Sequence, residues 1–297
     1  MKRGHWQILL AAALFLLALG LTLYPVVSNW YIGRHQSRIQ TEYREVLEQT
    51  DSAEIESIRK RAVAYNKTIT PGAAEEAYSQ KSIRLAAEDY VNQLNVSGSG
   101  IMGYVEIPKI GVDLPIYHGT GADSLDRGTG HLLGSSLPVG GESTHTIITG
   151  HSGMASQKMF TDLEKLRERD IFYLHVLDET LAYEVREIHT VLPHDTTYLG
   201  IEPGEDLCTL VTCTPTGVNT HRLLVHGSRI PYVPTEETEA SAVLHEENTD
   251  SHWEKQYWFG VRLGLAAMAT VVLLLSVYLF FRKKKTVKKK GGRYVRK

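Results

Sequence analysis

The sequence predicts a mainly β fold, a closed or nearly closed β-barrel, over residues 101–231. About six to eight short segments there are rich in β-branched residues or alternate between apolar and polar side chains, which is typical of strands. Turns rich in Gly, Pro and Asp separate these segments. The stretch QKMFTDLEKLRERD, residues 157–170, has the apolar spacing of one short helix. Short strands joined by turns, with little helix, favour a sheet that closes on itself.

The strand candidates follow one another along this domain. In chain order they are IMGYVEIPKIGVDLPIYHG, HTIITGH, DIFYLHVL, LAYEVREIHTVL, LCTLVTCT and RLLVHGSRI. The turns between them include LPVGGEST, LDET and PHDTTYLGIEPGED. Because these turn residues favour changes of direction, the chain is expected to fold back repeatedly within one sheet.

The regions on either side of the barrel domain have a different character. Residues 28–100 are predicted to form a helical pre-barrel region, because apolar residues recur near helical spacing on both sides of Pro71. The stretch NVSGSG at its end is predicted to be a flexible joint. Residues 232–257 are acidic and polar, so they are predicted to be a linker with little core of its own.

Charge is segregated along the chain, although the formal net charge is only −2. Residues 1–27 and 262–297 carry basic residues and no acidic ones, so all 34 acidic residues lie between them. A strongly acidic middle repels phosphate backbones, and this argues against a nucleic-acid partner.

Two stretches near the ends are predicted to be transmembrane helices. Residues 8–27 and 263–281 consist of about twenty apolar or small residues each, enough to cross a hydrocarbon core of roughly 30 Å. Basic residues in segments 1–7 and 282–297 place both termini in the cytoplasm by the positive-inside rule. The predicted location is therefore the cell membrane, contacting lipid, with the barrel domain extracytoplasmic. A cleaved signal peptide is the alternative for residues 8–27, although no A-x-A site follows them.

The two cysteines, Cys208 and Cys213, are not expected to form a disulfide. On one extended strand their Cα atoms would lie roughly 16 Å apart and their side chains on opposite faces. A disulfide needs Cα atoms within about 7 Å. The sequence also lacks H-x-x-x-H and C-x-x-C spacing, so no metal or other cofactor is expected.

Three residues at predicted strand ends are candidates for chemistry. Cys213 ends one strand and Arg222 opens the next, so an antiparallel hairpin would bring both to the same end. A guanidinium there offers five donors for a developing oxyanion. His151 ends the strand HTIITGH between glycines and is the preferred acid or base. His221 is adjacent to Arg222, so an extended backbone turns it to the other face, and it is interpreted as a loop residue.

A structural interpretation of the same residues stands beside the chemical one. A free cysteine is more often a small buried residue than a nucleophile. An arginine at a hairpin mouth is often part of a salt bridge, although residues 207–227 contain no acid to pair with Arg222. The residues alone therefore indicate a thiol, a histidine and an arginine on one β scaffold without fixing their roles.

These residues resemble the sortases, membrane-anchored cysteine transpeptidases of Gram-positive bacteria. TLVTC at 209–213 resembles the TLxTC signature, TGH at 149–151 resembles the histidine segment, and Arg222 falls on the family's arginine. The chain is most similar to the class C, pilin-polymerising sortases, through IMGYVEIPKIGVDLPIYHGT, GHLLGSSLPVGGESTHTIITGHSG, MFTDL and TCTPTGVNTHRLLVHGSRI. The dense likeness spans residues 101–231.

The resemblance implies an eight-stranded sortase barrel and a reaction. Cys213 would be the nucleophile that attacks the Thr–Gly bond of an LPxTG-like sorting signal, and His151 the general acid and base. Arg222 would stabilise the oxyanion or position the substrate. The thioacyl intermediate would pass to a lysine of another pilin subunit, building a covalent pilus. The implied partners are pilin subunits that carry the sorting signal and an acceptor lysine.

Two departures from the class C pattern are visible. Class C sortases carry an Asp-Pro-aromatic lid motif before the barrel, whereas Pro71 is the only proline in residues 28–100 and is flanked by Thr and Gly. Cys208 occupies a position that is normally apolar in the family, and it is interpreted as structural. The alternatives are a housekeeping sortase that anchors surface proteins to peptidoglycan, and a non-catalytic membrane-tethered assembly module.

Overall fold

A computed structural model describes residues 2–70, 72–74, 87–154, 157–233, 258–273 and 276–277. The chain divides into two compact units, one of Met1–Trp30 with Glu254–Lys297 and one of Tyr31–Trp253. Helix α1, Lys2–Gln49, begins in the first unit and ends in the second.

The first unit contains the start of α1 and a helix over residues 258–273. A Cβ added at Gly264 would collide with the side chain of Thr22, so glycine permits the close approach of these two segments. Among the described residues, no helix combines the length and the apolar character needed to cross a membrane. The predicted spans at 8–27 and 263–281 receive no support from this result, and residues 274–275 and 278–281 of the second lie outside the described residues.

In the second unit, helices pack against one side of a β-barrel. Helix α2, Ser52–Asn66, is capped by Asp51, whose side chain accepts a hydrogen bond from the Ala53 amide. The apolar face of α2, carrying Ile55, Ile58 and Ala62, is buried in the main core. Helix α1 also contacts the barrel, since the Tyr43 hydroxyl donates to the Met102 carbonyl at 3.2 Å. A short helix α3, Ala87–Val91, and a one-turn helix α4, Ala122–Leu125, complete the helices used below.

Eight strands form the closed barrel. They are β1 Ile101–Ile107, β2 Val112–His118, β3 Thr129–His131, β4 Thr144–Thr149, β5 Ile171–Val176, β6 Glu179–Val191, β7 Asp206–Thr214 and β8 His221–Ile230. Their order around the barrel is β1-β2-β3-β4-β7-β8-β6-β5. The β2–β3 and β4–β7 pairs are parallel and the other pairs are antiparallel. The predicted eight-stranded, mainly β barrel is confirmed.

Alternation along the strands divides the side chains between two clusters. On β7, Cys208 and Leu210 belong to the main core, while Val211 belongs to a smaller cluster on the opposite face. We call this opposite face the outer face of the sheet. Its cluster consists of Ala74, Leu132, Ile147, Val191, Leu199, Val211 and Leu224. Residues two positions apart on a strand project from the same face, and we say that they share parity. Parity on β4, β7 and β8 therefore places each site residue on one face or the other.

The helix predicted at residues 157–170 is wrong. The structure has turns there and only a three-residue 3₁₀ helix, Leu163–Lys165. Residues 159–163 are all buried, whereas a helix turns consecutive side chains to different sides and would leave part of this run exposed at the barrel surface. Met159 has a φ of +44° and Leu166 is extended, so the helical backbone is interrupted at both positions.

Candidate active site

Cys213 lies at the end of β7, where the strand leaves the packed part of the barrel. Thr212 before it is buried, whereas Cys213 is only partly buried. It shares parity with Val211 and therefore projects from the outer face. Both cysteines are free thiols, as the sequence predicted. The site thus presents an accessible thiol at the edge of a rigid strand.

Arg222 is the direct cross-strand partner of Cys213 in the antiparallel β7–β8 pair. It shares parity with Leu224 of the outer cluster, so both side chains project from the same face. Its Nη1 donates to the carbonyls of Asn219 at 3.3 Å and His221 at 3.1 Å, which orients the guanidinium. Within the described residues Arg222 forms no ion pair, and Nε and Nη2 have no hydrogen-bond partner. Two donor groups therefore stay available beside the thiol.

His151 follows β4, which runs parallel to β7. The last residue pair of that ladder is Thr149 with Val211, so two residues further along both chains brings His151 opposite Cys213. The register is maintained beyond the ladder, because the Gly150 amide donates to the Val211 carbonyl at 3.0 Å. Parity with Ile147 and Thr149 directs His151 to the outer face. The structure therefore brings His151, Cys213 and Arg222 to one edge and one face of the sheet.

The loop that carries His151 is fixed by further hydrogen bonds. The Thr212 hydroxyl donates to the Gly150 carbonyl at 2.8 Å, and the Ser152 hydroxyl donates to the Cys213 carbonyl at 2.6 Å. The Phe160 amide donates to the His151 carbonyl at 2.9 Å. These bonds hold the histidine backbone against the strand that carries the thiol.

Two residues near the site have no signal in the sequence. Asp126, which follows α4, places Oδ1 3.8 Å from His151 Nε2, and its side chain is 64% exposed. At that distance and exposure the pair contributes little to stability. Ser152 is the other, because its contact with Cys213 joins positions that are 61 residues apart. Neither contact follows from local pattern.

His221 is part of β8 rather than of the preceding loop, which corrects the interpretation from sequence. It pairs with Thr214 and lies on the face opposite Arg222, so the parity argument against it is unaffected. Its Nδ1 lies 3.0 Å from the Thr220 hydroxyl. The histidine therefore extends the strand that carries Arg222.

Two further histidines on the outer face, His145 and His226, are buried. His145 Nδ1 faces the Gly200 carbonyl at 2.7 Å and therefore donates, so its Nε2 accepts from the Thr209 hydroxyl at 2.6 Å. The Thr209 oxygen then accepts from His226 Nδ1 at 2.7 Å. Burial, followed by electrostatic interaction with His145, lowers the pKa of His226 to about 4. A neutral ring of this kind serves packing beneath the site.

Cys208 differs from Cys213 in its exposure. It is fully buried in the main core, and burial raises its pKa well above the ordinary thiol value. Among the described residues, no group of three or more His, Cys, Asp or Glu side chains is placed to hold a metal ion. Cys213, His151 and Arg222 are the sequence-predicted site residues that the structure brings together at this edge.

Comparison with known proteins agrees with this geometry. The model of the sortase domain family matches residues 105–230. Sortase C of Streptococcus pneumoniae is 45% identical in sequence with a TM-score of 0.60, and the match covers 67% of this chain and 100% of that one. The chain belongs to the sortase family. It is therefore a cysteine transpeptidase by family.

Other relatives of this sortase support the same assignment. Sortase C1 of Streptococcus agalactiae is 42% identical with a TM-score of 0.60, and the match covers 66% of this chain and 100% of that one. Sortase A of Streptococcus agalactiae is 26% identical over 187 residues, which cover 61% of this chain and 73% of the relative. Close structural neighbours of this sortase are thus class C, pilin-associated sortases.

Proposed function

We propose that this sortase cleaves an LPxTG-like sorting signal of pilin subunits and joins the acyl group to a lysine of another subunit. The single observation that carries the proposal is the convergence of Cys213, Arg222 and His151 on one edge of the barrel. Identities of 45% and 42% to two class C structures support pilin substrates. One Streptococcus pneumoniae structure is itself described in terms of pilin substrate specificity.

The first half of the proposed reaction forms a thioester. The Cys213 thiol gives its proton to His151, the resulting thiolate attacks the carbonyl carbon of the Thr–Gly bond, and the electron pair moves to the carbonyl oxygen. The unpaired donors of Arg222 stabilise that oxyanion from the neighbouring strand. The carbon–nitrogen bond then breaks, and His151 donates a proton to the leaving glycine amine.

The second half transfers the acyl group to the acceptor. A lysine amine of another subunit attacks the thioester carbonyl, while His151 takes up the proton that the amine loses. Collapse of the second tetrahedral intermediate releases the sulfur of Cys213 and leaves an isopeptide bond. The enzyme is thereby regenerated without a cofactor.

Catalysis is tested with the full-length protein in detergent and a fluorogenic peptide that contains Leu-Pro-Glu-Thr-Gly. Cys213→Ala and His151→Ala are each expected to abolish cleavage, and Cys208→Ala to retain it. Cleavage that survives in Cys213→Ala would contradict the proposal and favour the non-catalytic assembly module.

The acceptor distinguishes a pilin sortase from a housekeeping sortase. The parent enzyme is offered the same peptide donor with either a lysine-containing pilin peptide or triglycine as the nucleophile. Product joined through the lysine side-chain amine, identified by mass spectrometry, is the expected result. Efficient transfer to triglycine alone would instead support anchoring of surface proteins to peptidoglycan.

The membrane location stays a prediction from the charge pattern and the apolar end segments. We propose that the barrel is extracytoplasmic and that both termini are cytoplasmic. Addition of a membrane-impermeant maleimide to intact cells is expected to label Cys213 in the parent and nothing in Cys213→Ala. Labelling of Cys213 only after lysis would contradict this topology.

A further inference from the structure

We propose that Ser152 is a positioning residue, which holds His151 in register with Cys213 through its hydrogen bond to the Cys213 carbonyl. The inference rests on the proposed roles of Cys213 and His151. The bond is 2.6 Å long and joins the loop after β4 to the end of β7. Ser152 itself is not placed in contact with substrate in this proposal.

The argument begins where the parallel β4–β7 ladder ends. In a parallel ladder, the amide of one residue donates to a carbonyl of the neighbouring strand. The carbonyl of the same residue accepts from the amide that lies two residues further along that neighbouring strand. The Gly150 amide makes the expected bond to the Val211 carbonyl at 3.0 Å. The regular continuation would bring the Cys213 amide to the Gly150 carbonyl and the residue 152 amide to the Cys213 carbonyl.

Side-chain hydroxyls occupy both of those positions. Thr212 Oγ1 donates to the Gly150 carbonyl at 2.8 Å, and Ser152 Oγ donates to the Cys213 carbonyl at 2.6 Å. The strand pairing is thus replaced by two hydroxyl bonds at the point where the backbone leaves the sheet. His151 lies between the two residues of its loop that are held in this way.

This exchange of amides for hydroxyls has a consequence for the site. A full strand would continue the backbone of His151 in the ladder, whereas an untethered loop would leave the distance of His151 from Cys213 undefined. Hydroxyl bonds keep the two backbones at strand-like separation and still allow the loop to turn away after residue 152. Since a displacement of about 1 Å of a catalytic group can reduce a rate by about 100-fold, one such bond is able to control activity.

The test compares variants at position 152 that differ in the hydroxyl alone. Ser152→Thr retains the hydroxyl, and Ser152→Val has nearly the same shape without it. We expect kcat for peptide cleavage to fall at least about 10-fold in Ser152→Val and Ser152→Ala, with KM changed less than about twofold. Ser152→Thr is expected to stay within about threefold of the parent. Equal kcat values in the Thr and Val variants would overturn the proposal, even if the Ala variant fails to fold.

A second measurement separates positioning from general stability. The alkylation rate of Cys213 by iodoacetamide is measured for Ser152→Ala alone, His151→Ala alone and the double variant. We expect Ser152→Ala to change this rate at least about threefold when His151 is present and to have no effect when His151 is absent. An unchanged rate with His151 present, or the same change in both backgrounds, would overturn the proposal.

Thr50→Ala is the matched control, because Thr50 Oγ1 also donates to a backbone carbonyl, that of Val46, at 2.7 Å and is also partly buried. This variant is expected to leave kcat and the alkylation rate within about twofold of the parent. Loss of activity in Cys213→Ala and His151→Ala with normal kcat in Ser152→Ala and Ser152→Val would leave the proposed function intact and reject this inference alone.

Discussion

Cys213 and Arg222 are direct partners across the β7–β8 pair, and both project from the outer face of the barrel. The guanidinium is oriented by the carbonyls of Asn219 and His221 through a single nitrogen, Nη1, at 3.3 and 3.1 Å. Its Nε and Nη2 groups, the other donors of the forked guanidinium, have no hydrogen-bond partner among the described residues. A planar fork held in this way is pre-organised for an oxyanion that forms beside the thiol.

The role of this fork predicts a difference between arginine and lysine at position 222. Arg222→Ala is expected to lower kcat by about 100- to 1,000-fold, the usual cost of removing an oxyanion donor. Arg222→Lys keeps the charge but loses the fork, so a loss of roughly 10-fold or more is expected. The measurement is steady-state cleavage of the sorting peptide.

Arg186→Ala is the control, since Arg186 is an exposed residue paired with Glu202. An Arg222→Lys variant with full activity would show that charge alone suffices.

The contrast between the two thiols predicts selective modification. Iodoacetamide at pH 8 is expected to alkylate one cysteine per folded chain, Cys213, and two in urea, because Cys208 is fully buried with a raised pKa. Intact mass and peptide mapping give the count. Cys213→Ala should reduce the folded count to zero. Modification of Cys208 in the folded chain would contradict its place in the core.

How much of this site the sequence predicted depends on whether the partners are close in the chain. The Cys213–Arg222 pairing followed from two apolar strands and the short turn between them, which is a local pattern. The placement of His151 depended on the parallel β4–β7 pairing, which connects distant segments and which no periodicity reveals. The contacts of Ser152 and Asp126 also join separate segments and left no pattern in the sequence.

The wrong helix at residues 157–170 has a similar explanation. Its apolar spacing was helical, but residues 159–163 are all buried, which a single amphipathic helix on the surface does not allow. Packing of this run into the main core outweighs the local propensity. That packing involves distant strands, so the local spacing does not reveal it.

Two buried histidines predict a loss of stability in mild acid. Burial is the largest cause that lowers the pKa of both His131 and His226 to about 4, from an ordinary value near 6.5. The unfolded chain therefore binds protons first, and stability present above pH 6.5 is lost as the pH falls toward 4. Each histidine is expected to contribute on the order of 3 kcal/mol to this loss.

Urea unfolding at pH values between 7.5 and 4 measures this dependence. His226→Asn is expected to be less stable than the parent at pH 7.5 but to lose less stability on acidification. The same slope in the variant and the parent would contradict a neutral, buried His226 in the folded protein.

The space around Gly150 predicts that the histidine loop does not tolerate a methyl group there. A Cβ at this position would lie 2.7 Å from Phe160 Cδ2, and Phe160 is fully buried in the main core. Gly150→Ala is expected to cost about 1–3 kcal/mol of unfolding free energy, the range for overpacking a core. The same displacement would move His151, so kcat should fall by more than stability alone explains. Thermal unfolding and peptide cleavage check the two effects separately.

Gly121→Ala is the matched control, because a Cβ there meets nothing within 4 Å and the φ of Gly121 is −72°. If both variants keep the parent's melting temperature and kcat, the packing of Phe160 against Gly150 does not fix the position of His151.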